Sequence, residues 1–265
     1  MKLNYEKSGS QGPVLLLGHG FPFDHTMWNA QIADLSKDFI VIAPDFRGMG
    51  KSSPSGFPVT SMEELADDLA ELLDDLQIKK CSYCGLSMGG YVGWEFWLRH
   101  PQRLESFILC DSNAKCDTPD AAQNRLKTAD RIEAENSCAF MAEIMKKNLM
   151  TNQTLASAES TDSVFSRYRK MVTENNPSGV ASVARGMAQR KNFTNLLRTV
   201  QIPMLVLAGE LDLLSPPEAM KELTDAIPNA QLALIPNAAH LAPMEQPESV
   251  NQAIRQFLNS IPSEQ

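Results

Sequence analysis

Residues 81–97 read CSYCGLSMGGYVGWEFW, and this stretch decides the fold. Its first four residues form a short run that is typical of a buried strand. The pentapeptide GLSMG at residues 85–89 follows, and the residues after it have a helical pattern. A G-x-S-x-G sequence between a strand and a helix predicts a tight turn that exposes the serine, with glycines where larger side chains would clash. The pattern therefore predicts that Ser87 is a nucleophile, the alternative being a buried structural serine.

Short apolar runs bounded by Gly or Pro recur along the chain, with helical patterns between them. This alternation predicts an α/β fold with a mostly parallel central sheet and helices on both of its faces. Residues 62–76 show leucines at helical spacing, and Ser61 with Glu64 forms a capping box in front of them. The predicted strands cover residues 14–17, 39–43, 81–84, 107–110, 204–208 and 232–235.

The strand pattern is interrupted between residues 112 and 197, where charged helical segments stand instead. We interpret residues 112–197 as a helical cap inserted into a core formed by residues 1–111 and 198–265. The sequence NNPSG at residues 175–179 is expected to break the cap into two parts, because Pro lacks a backbone donor and Gly tolerates turns. The methionines of the cap either line an adaptable pocket or pack its helices, and they include Met141, Met145, Met150, Met171 and Met187.

A serine hydroxyl is a weak nucleophile at neutral pH, so Ser87 needs a base and a third group that orients the base. Proteins with the pentapeptide carry these groups in the chain order serine, acid, histidine. That order favours His240, which follows the last predicted strand. Of the other histidines, His19 is expected to support a turn, His25 lies further along the same loop, and His100 ends a helix.

The chain order places the orienting acid in the loop after the strand at 204–208, where both Glu210 and Asp212 stand. Asp111, directly after the preceding strand, is a further alternative. Backbone N–H groups must also face the oxyanion that forms during acyl transfer, and the pattern supplies one of them from Met88. We expect the second from Phe21 after the first core strand, because Pro22 has no N–H to donate.

Together these motifs resemble those of α/β-hydrolase fold serine hydrolases, in particular small carboxylesterases and 3-oxoadipate enol-lactonases. The matching segments are HGFP at 19–22, PDFRGMGKS at 44–52, GLSMGG at 85–90, LCDSNAK at 109–115, GELD at 209–212 and His240. The resemblance covers residues 1–111 and 198–265, and the cap only by position and length. It implies Asp212 as the acid, a pocket between core and cap, and neither a metal nor an organic cofactor.

Composition excludes other classes of protein. Lys and Arg number 24 against 32 Asp and Glu, and the formal charge of −8 argues against a nucleic acid partner. No apolar run approaches the roughly 20 residues of a membrane span, and the N-terminal residues lack the apolar region of a signal peptide, so we expect a cytoplasmic location without membrane partners. Five cysteines, an odd number, are expected to be reduced thiols. The sequence leaves the oligomeric state open.

The predicted function is hydrolysis of small carboxylic esters or lactones through an acyl-enzyme on Ser87, with a small molecule as substrate. Alternatives on the same triad are hydrolysis of a C–C bond, cofactor-free perhydrolase chemistry and a slow-turnover, hydrolase-like ligand receptor. Dehalogenase and epoxide hydrolase activities are disfavoured, because they use a carboxylate nucleophile. A substrate with a carboxylate would need a cation from the cap, whose arginines include Arg125, Arg131, Arg167, Arg169, Arg185 and Arg190.

Overall fold

The computed structural model describes residues 2–52, 56–157 and 160–261 of the 265-residue chain. Within these residues seven strands form one sheet in the order β1-β3-β2-β4-β5-β6-β7, and every neighbouring pair is parallel except β1 with β3. The strands are β1 Tyr5–Ser8, β2 Val14–Gly18, β3 Ile40–Pro44, β4 Cys81–Leu86, β5 Leu104–Cys110, β6 Met204–Gly209 and β7 Ala230–Ile235.

The central strands are buried on both faces. All six residues of β4 and all six of β6 are buried, so side chains on alternate faces of the sheet are both covered. This confirms the predicted α/β architecture and the six predicted strands. The prediction missed β1, because the sequence YEKS is polar and half-exposed, as an antiparallel edge strand can be.

The helices fill the connections between the strands. Ser61 caps the helix that begins at Met62 with the predicted reciprocal bonds to Glu64, and another helix begins at Met88 directly after the β4 turn. Outside the segment between β5 and β6, the helices are α1 Asn29–Leu35, α2 Met62–Asp75, α3 Met88–Arg99, α9 Pro217–Asp225, α10 Ala242–Glu245 and α11 Pro247–Ser260. No helix in the described ranges is long and apolar enough to span a membrane.

The segment between β5 and β6 is helical, and its described residues contain no strand. Its predicted break is confirmed, because one helix ends at Glu174 and the next begins at Pro177, where the Asn176 side chain caps the new helix. The five helices are α4 Pro119–Glu135, α5 Ala139–Leu149, α6 Asn152–Ala156, α7 Val164–Glu174 and α8 Pro177–Met187. The division into core and cap stays a prediction.

Helix α8 packs on the core through backbone contact. A Cβ atom on Gly179 would overlap the carbonyl oxygen of Gly48. The two backbone segments therefore approach each other more closely than a side chain at position 179 would permit. Farther along α8, Ser182 accepts a hydrogen bond from the Thr60 N–H at 3.1 Å through its carbonyl. The two hydroxyl groups of Ser182 and Thr60 lie 2.8 Å apart. These contacts fix α8 to the loops after β3.

We expect Gly179→Ala to destabilise the protein, although alanine is the better helix former by about 1 kcal/mol. The added methyl would push α8 away from Gly48 and break its contacts with Thr60. The measurement is the free energy of unfolding in urea, with an expected loss of about 2 kcal/mol. Gly56→Ala is the control, since its methyl meets no atom within 4 Å and costs only the strain of a φ of 63°. Equal losses in the two variants would contradict the prediction.

Candidate active site

Ser87 occupies a strained turn at the carboxyl end of β4. Its backbone angles are φ 50° and ψ −110°, a conformation that residues with a side chain rarely adopt. Backbone hydrogen bonds hold it there: its N–H donates to the Cys110 carbonyl at 3.0 Å, and its carbonyl accepts from the N–H groups of Gly90 and Tyr91 at 2.9 and 3.3 Å and from the Ser112 hydroxyl at 2.6 Å. The side chain of Ser87 is half-buried at the start of α3.

The glycines of the pentapeptide permit this turn to lie against the neighbouring strand. A Cβ on Gly89 would overlap the carbonyl oxygen of Gly18 at the end of β2, and one on Gly85 would overlap the backbone of Gly89. The buried Tyr83 hydroxyl donates to the Gly89 carbonyl at 2.7 Å from beneath. The requirement for glycine that the sequence predicted therefore has its cause in two close backbone approaches.

His240 and Asp212 form a buried pair at the same edge of the sheet. His240 Nδ1 lies 2.8 Å from Asp212 Oδ2, and the other oxygen of Asp212 accepts from the Leu214 N–H at 2.8 Å. The two residues are 4% and 2% exposed. An Nδ1–H that donates to Asp212 leaves Nε2 free to accept a proton. Among the described residues no hydrogen bond joins Ser87 to His240.

The alternative acids occupy different positions. Glu210 is exposed and its N–H pairs with the Ile235 carbonyl, so it lies apart from His240. Asp111 is fully buried, and Oδ1 of its carboxyl accepts from the Gly209 N–H at 2.7 Å. The geometry joins His240 to Asp212 and to neither alternative.

His19 supports the turn after β2, as the sequence predicted. Its Nε2 accepts the Phe46 N–H at 2.9 Å, so the proton is on Nδ1, which donates to the Gly20 carbonyl at 2.9 Å. Burial lowers the pKa of His19 and keeps it neutral in this role. In the same loop, the N–H of Phe21 has no hydrogen-bond partner among the described residues. Met88 is the first residue of α3, where an N–H has no partner within the helix.

Strand register brings these groups to one edge. Gly18 pairs with Gly85, so the loop that carries Phe21 and the turn that carries Ser87 leave the sheet side by side. The strand order changes side at β2, because the chain adds β3 on one side of it and then β4 on the other, and in parallel α/β sheets ligands bind at such a point. The fold places a serine hydroxyl, an acid-paired imidazole and the N–H groups of Phe21 and Met88 in segments that follow the carboxyl ends of the parallel strands.

Residues 13–247 match the model of the alpha/beta hydrolase fold family. The chain belongs to this family. It is 28% identical over 253 residues to 3-oxoadipate enol-lactonase 2 of Acinetobacter baylyi, and the aligned region covers 95% of this chain and 91% of that protein. A thermophilic esterase from Thermogutta terrifontis, solved with malate bound, is 44% identical with a TM-score of 0.92, covering 98% and 93% of the two chains. The enol-lactonase of Burkholderia xenovorans is 27% identical with a TM-score of 0.88, covering 97% and 96%. The resemblance predicted from the motifs is thus confirmed.

Asn175 is a residue of this α/β hydrolase whose role the sequence did not reveal. Its Nδ2 donates to the carbonyls of Pro22 and Phe23 at 3.1 and 3.2 Å, and its Oδ1 accepts from the Gly50 N–H at 3.0 Å. Asn175 therefore joins the segment between α7 and α8 to the loop that carries Phe21. The only sequence signal at this position was the Asn-Asn-Pro turn. Such a turn predicts the start of a helix, but it does not indicate partners that lie 153 and 152 residues away in the chain.

Glu245 is a second residue that sequence reasoning missed. One carboxylate oxygen accepts from the Ala239 N–H at 2.7 Å, next to His240, and the other accepts from the N–H of Thr151 at 2.8 Å and the hydroxyl of Thr154 at 2.6 Å. Glu245 thus connects the histidine loop with α6.

A cavity of about 450 Å³ lies between the helical segment and the sheet edge. Its wall includes Phe21 and Leu214 from the sheet side, and Arg125, Met141 and Met145 from the helices. Among the methionines of the segment, these two line the cavity, and the other three are buried in the hydrophobic cluster to which Met141 also belongs: Met150, Met171 and Met187.

Arg125 is the charged side chain of the cavity wall. Its Nε lies 2.6 Å from Asp117, which also pairs with Arg190 at 2.5 Å, so two cations share one carboxylate. Arg131 and Arg185, on α4 and α8, pair instead with acidic side chains of α4. Arg125 thus places a guanidinium at the cavity wall, beside a carboxylate that it shares with Arg190.

One group of described residues, Asp24, His25 and Asp45, has the spacing of metal ligands. Its donor atoms are already used: Asp45 Oδ1 lies 2.6 Å from His25 Nδ1, and its Oδ2 accepts from Asn4 and from the Lys51 N–H, each at 2.8 Å. Burial opposes ionisation of Asp45, but the bonds from the His25 side chain and backbone outweigh it and lower its pKa to about 2. The same bond raises the pKa of His25. This chemistry fits a structural hydrogen-bond cluster that holds the turn after β3.

We predict that Asn175→Ala destabilises the protein by about 3 kcal/mol, because the buried carbonyls of Pro22 and Phe23 and the Gly50 N–H lose their partner. Urea unfolding measures the loss. The matched control is Asn176→Ser at the next position, where serine preserves the cap of α8 and the change should stay within a few tenths of a kcal/mol. A loss in Asn175→Ala no larger than in the control would refute the bridging role.

Proposed function

We propose that this protein is a serine hydrolase that cleaves small carboxylic esters or lactones through an acyl-enzyme on Ser87. The observation that carries the proposal is the strained turn of Ser87, with φ 50°, at the sheet edge that also holds the buried pair of His240 and Asp212. The names of the relatives, an enol-lactonase and an esterase, support the same class of reaction.

In the proposed mechanism, Ser87 Oγ attacks the carbonyl carbon of the ester while His240 Nε2 takes the hydroxyl proton. Asp212 holds the imidazole through Nδ1–H and stabilises the cation that forms. His240 then gives its proton to the leaving alcohol, and the acyl group stays on Ser87. Water attacks that ester with His240 again as base, which releases the acid and restores the hydroxyl.

The N–H groups of Phe21 and Met88 are the proposed donors to the oxyanion. Each N–H lies on a segment that other bonds fix before substrate binds: His19 and Asn175 hold the loop of Phe21, and the turn of Ser87 fixes the start of α3. Donors that are already oriented stabilise the developing charge without further reorganisation. One such donor is worth about 3 kcal/mol in related enzymes.

We further propose that residues 112–197 act as a lid over the site. Helix α8 is attached to the core by backbone contacts, and α4 and α5 form the cavity wall that faces Phe21. The lid therefore decides which acyl or alcohol group fits. A cavity of about 450 Å³ suits a small substrate.

Ser87→Ala tests the nucleophile. We expect a loss of roughly 10⁴-fold or more in kcat for p-nitrophenyl butyrate, because the remaining groups cannot form the acyl-enzyme. Circular dichroism should match the wild type, since alanine keeps the Cβ of the turn. Labelling by a fluorophosphonate probe should disappear with the activity.

Ser10→Ala, in an exposed loop, is the control and should retain full activity and the labelling of Ser87. Unchanged turnover in Ser87→Ala would show that the nucleophile is elsewhere. Wild-type protein that reacts with the probe but turns over no ester or lactone in a screen of chain length and charge would favour the slow-turnover receptor.

Arg125→Gln tests whether the substrate is anionic. If the guanidinium binds a substrate carboxylate, its loss should lower kcat/KM for a p-nitrophenyl ester of a dicarboxylic acid roughly 10- to 100-fold, and that for the neutral butyrate by less than threefold. Arg131→Gln, on the same helix and paired with Glu135, controls for the change in net charge. An equal loss for anionic and neutral esters would exclude charge recognition by Arg125.

A further inference from the structure

Asp111 is a buried acid that the proposed mechanism does not use. It follows β5, its exposed fraction is 0%, and its φ is 42°. Oδ1 accepts from the Gly209 N–H at 2.7 Å, and Oδ2 lies 3.3 Å from the Cys110 thiol. Gly209 also accepts the Asp212 N–H at 3.1 Å through its carbonyl, so one residue holds both acids, and the Asp212 side chain is a near neighbour of the Asp111 carboxyl. Two carboxyl groups thus meet at the point where the acid of the triad stands.

The groups that surround Asp111 and Asp212 stabilise one negative charge on this pair of carboxyl groups, and not two. The titratable groups that face Asp111 are Cys84 from β4, Cys110 from β5 and Asp212 after β6, with His240 reached through Asp212. Within the described ranges neither carboxyl forms an ion pair with a Lys or Arg side chain. Two adjacent buried carboxylates repel each other, so one of them keeps its proton.

The hydrogen-bond partners decide which carboxyl is ionised. Both oxygens of Asp212 accept an N–H, one from Leu214 and one from His240, and carboxylates are favoured by such bonds. Asp111 accepts one N–H at Oδ1 and a weak thiol donor at Oδ2, so its carboxylate is less stabilised than that of Asp212 and it keeps the proton of the pair. Burial, and after it the charge of Asp212, raise the pKa of Asp111 well above its ordinary value.

We propose that Asp111 is a positioning residue, a neutral carboxylic acid that donates a hydrogen bond to Asp212 and so keeps the single negative charge of the triad on Asp212, facing His240. The inference rests on the proposed serine hydrolase function. A donor on Asp212 stabilises its carboxylate and opposes transfer of a proton from the imidazolium. It also holds the carboxyl plane in the orientation that Nδ1–H requires.

Asp111→Asn is the decisive variant. Asparagine keeps the size of the side chain, accepts from Gly209 through Oδ1, donates to Asp212 through Nδ2, and cannot ionise. We expect its kcat/KM for p-nitrophenyl butyrate at neutral pH to stay within about threefold of the wild type. Asp111→Ala removes the donor, and its kcat should fall roughly 10- to 100-fold with KM changed less than twofold. An Asp111→Asn enzyme as impaired as Asp111→Ala, or an Asp111→Ala enzyme with wild-type kcat, would overturn the proposal.

Stability against pH provides a test that needs no activity. The native state retains a proton on Asp111 that the unfolded chain loses above the ordinary aspartate pKa of about 4, so Asp111 lowers stability progressively as pH rises from there. Asp111→Asn removes this loss. The ratio of the unfolding equilibrium constants, wild type over Asp111→Asn, should therefore rise by about tenfold per pH unit between pH 5 and 7.

Asp75→Asn, an exposed position on α2, is the control for the same change in charge and should give a nearly flat ratio. A flat ratio for Asp111→Asn as well would show that Asp111 ionises normally and would overturn the inference. If the wild type hydrolyses no ester, the proposed function fails on its own, while the pH dependence of stability still reports on the shared proton.

Discussion

The close approach of the β4 turn to the end of β2 is the constraint on which the site depends. Because Gly89 lies against the Gly18 carbonyl, the chain must turn at once after β4, and Ser87 takes a backbone conformation with φ 50°. The turn starts α3 beside the loop after β2. As a result Ser87 and Met88 leave the sheet beside the loop that carries Phe21, at the edge where Gly18 pairs with Gly85.

A second constraint is the cost of burying charge behind that serine. Asp212 is almost fully buried, and each of its carboxyl oxygens accepts an N–H, one from Leu214 and one from His240, which stabilises a negative charge at this position. A neutral Asp111 adds a third donor without adding charge. The polar groups behind Ser87 thus form one connected network. The charge on Asp212 depends on which carboxyl of the pair carries the proton as well as on the hydrogen-bond distances.

Local patterns predicted much of this molecule. The β4 turn, the capping box of α2 and the break before Pro177 each depend on residues within a few positions of one another, and each was readable from the chain. β1 was missed because its sequence is polar, and its strand conformation depends on pairing with β3. Asn175 and Glu245 were missed for a related reason, since their partners are distant in sequence and any surface asparagine or glutamate has the same local pattern. The choice of Arg125 among six arginines likewise required knowing which side of α4 faces the cavity.

The contacts of the helical segment differ from one end to the other, and the difference has a mechanical consequence. Helix α8 touches the core backbone to backbone, where a shift of even one methyl group is resisted. Helix α6 contacts it through Glu245, whose two oxygens accept from Thr151 on one side and from Ala239, beside His240, on the other. Movement of α6 would therefore be transmitted to the histidine loop through Glu245, whereas the backbone contact of α8 with Gly48 resists movement. The carboxylate of Glu245 and the hydrogen bond from the Leu241 N–H to the Leu149 carbonyl, at 3.1 Å, therefore both join the helical segment to the loop that carries His240.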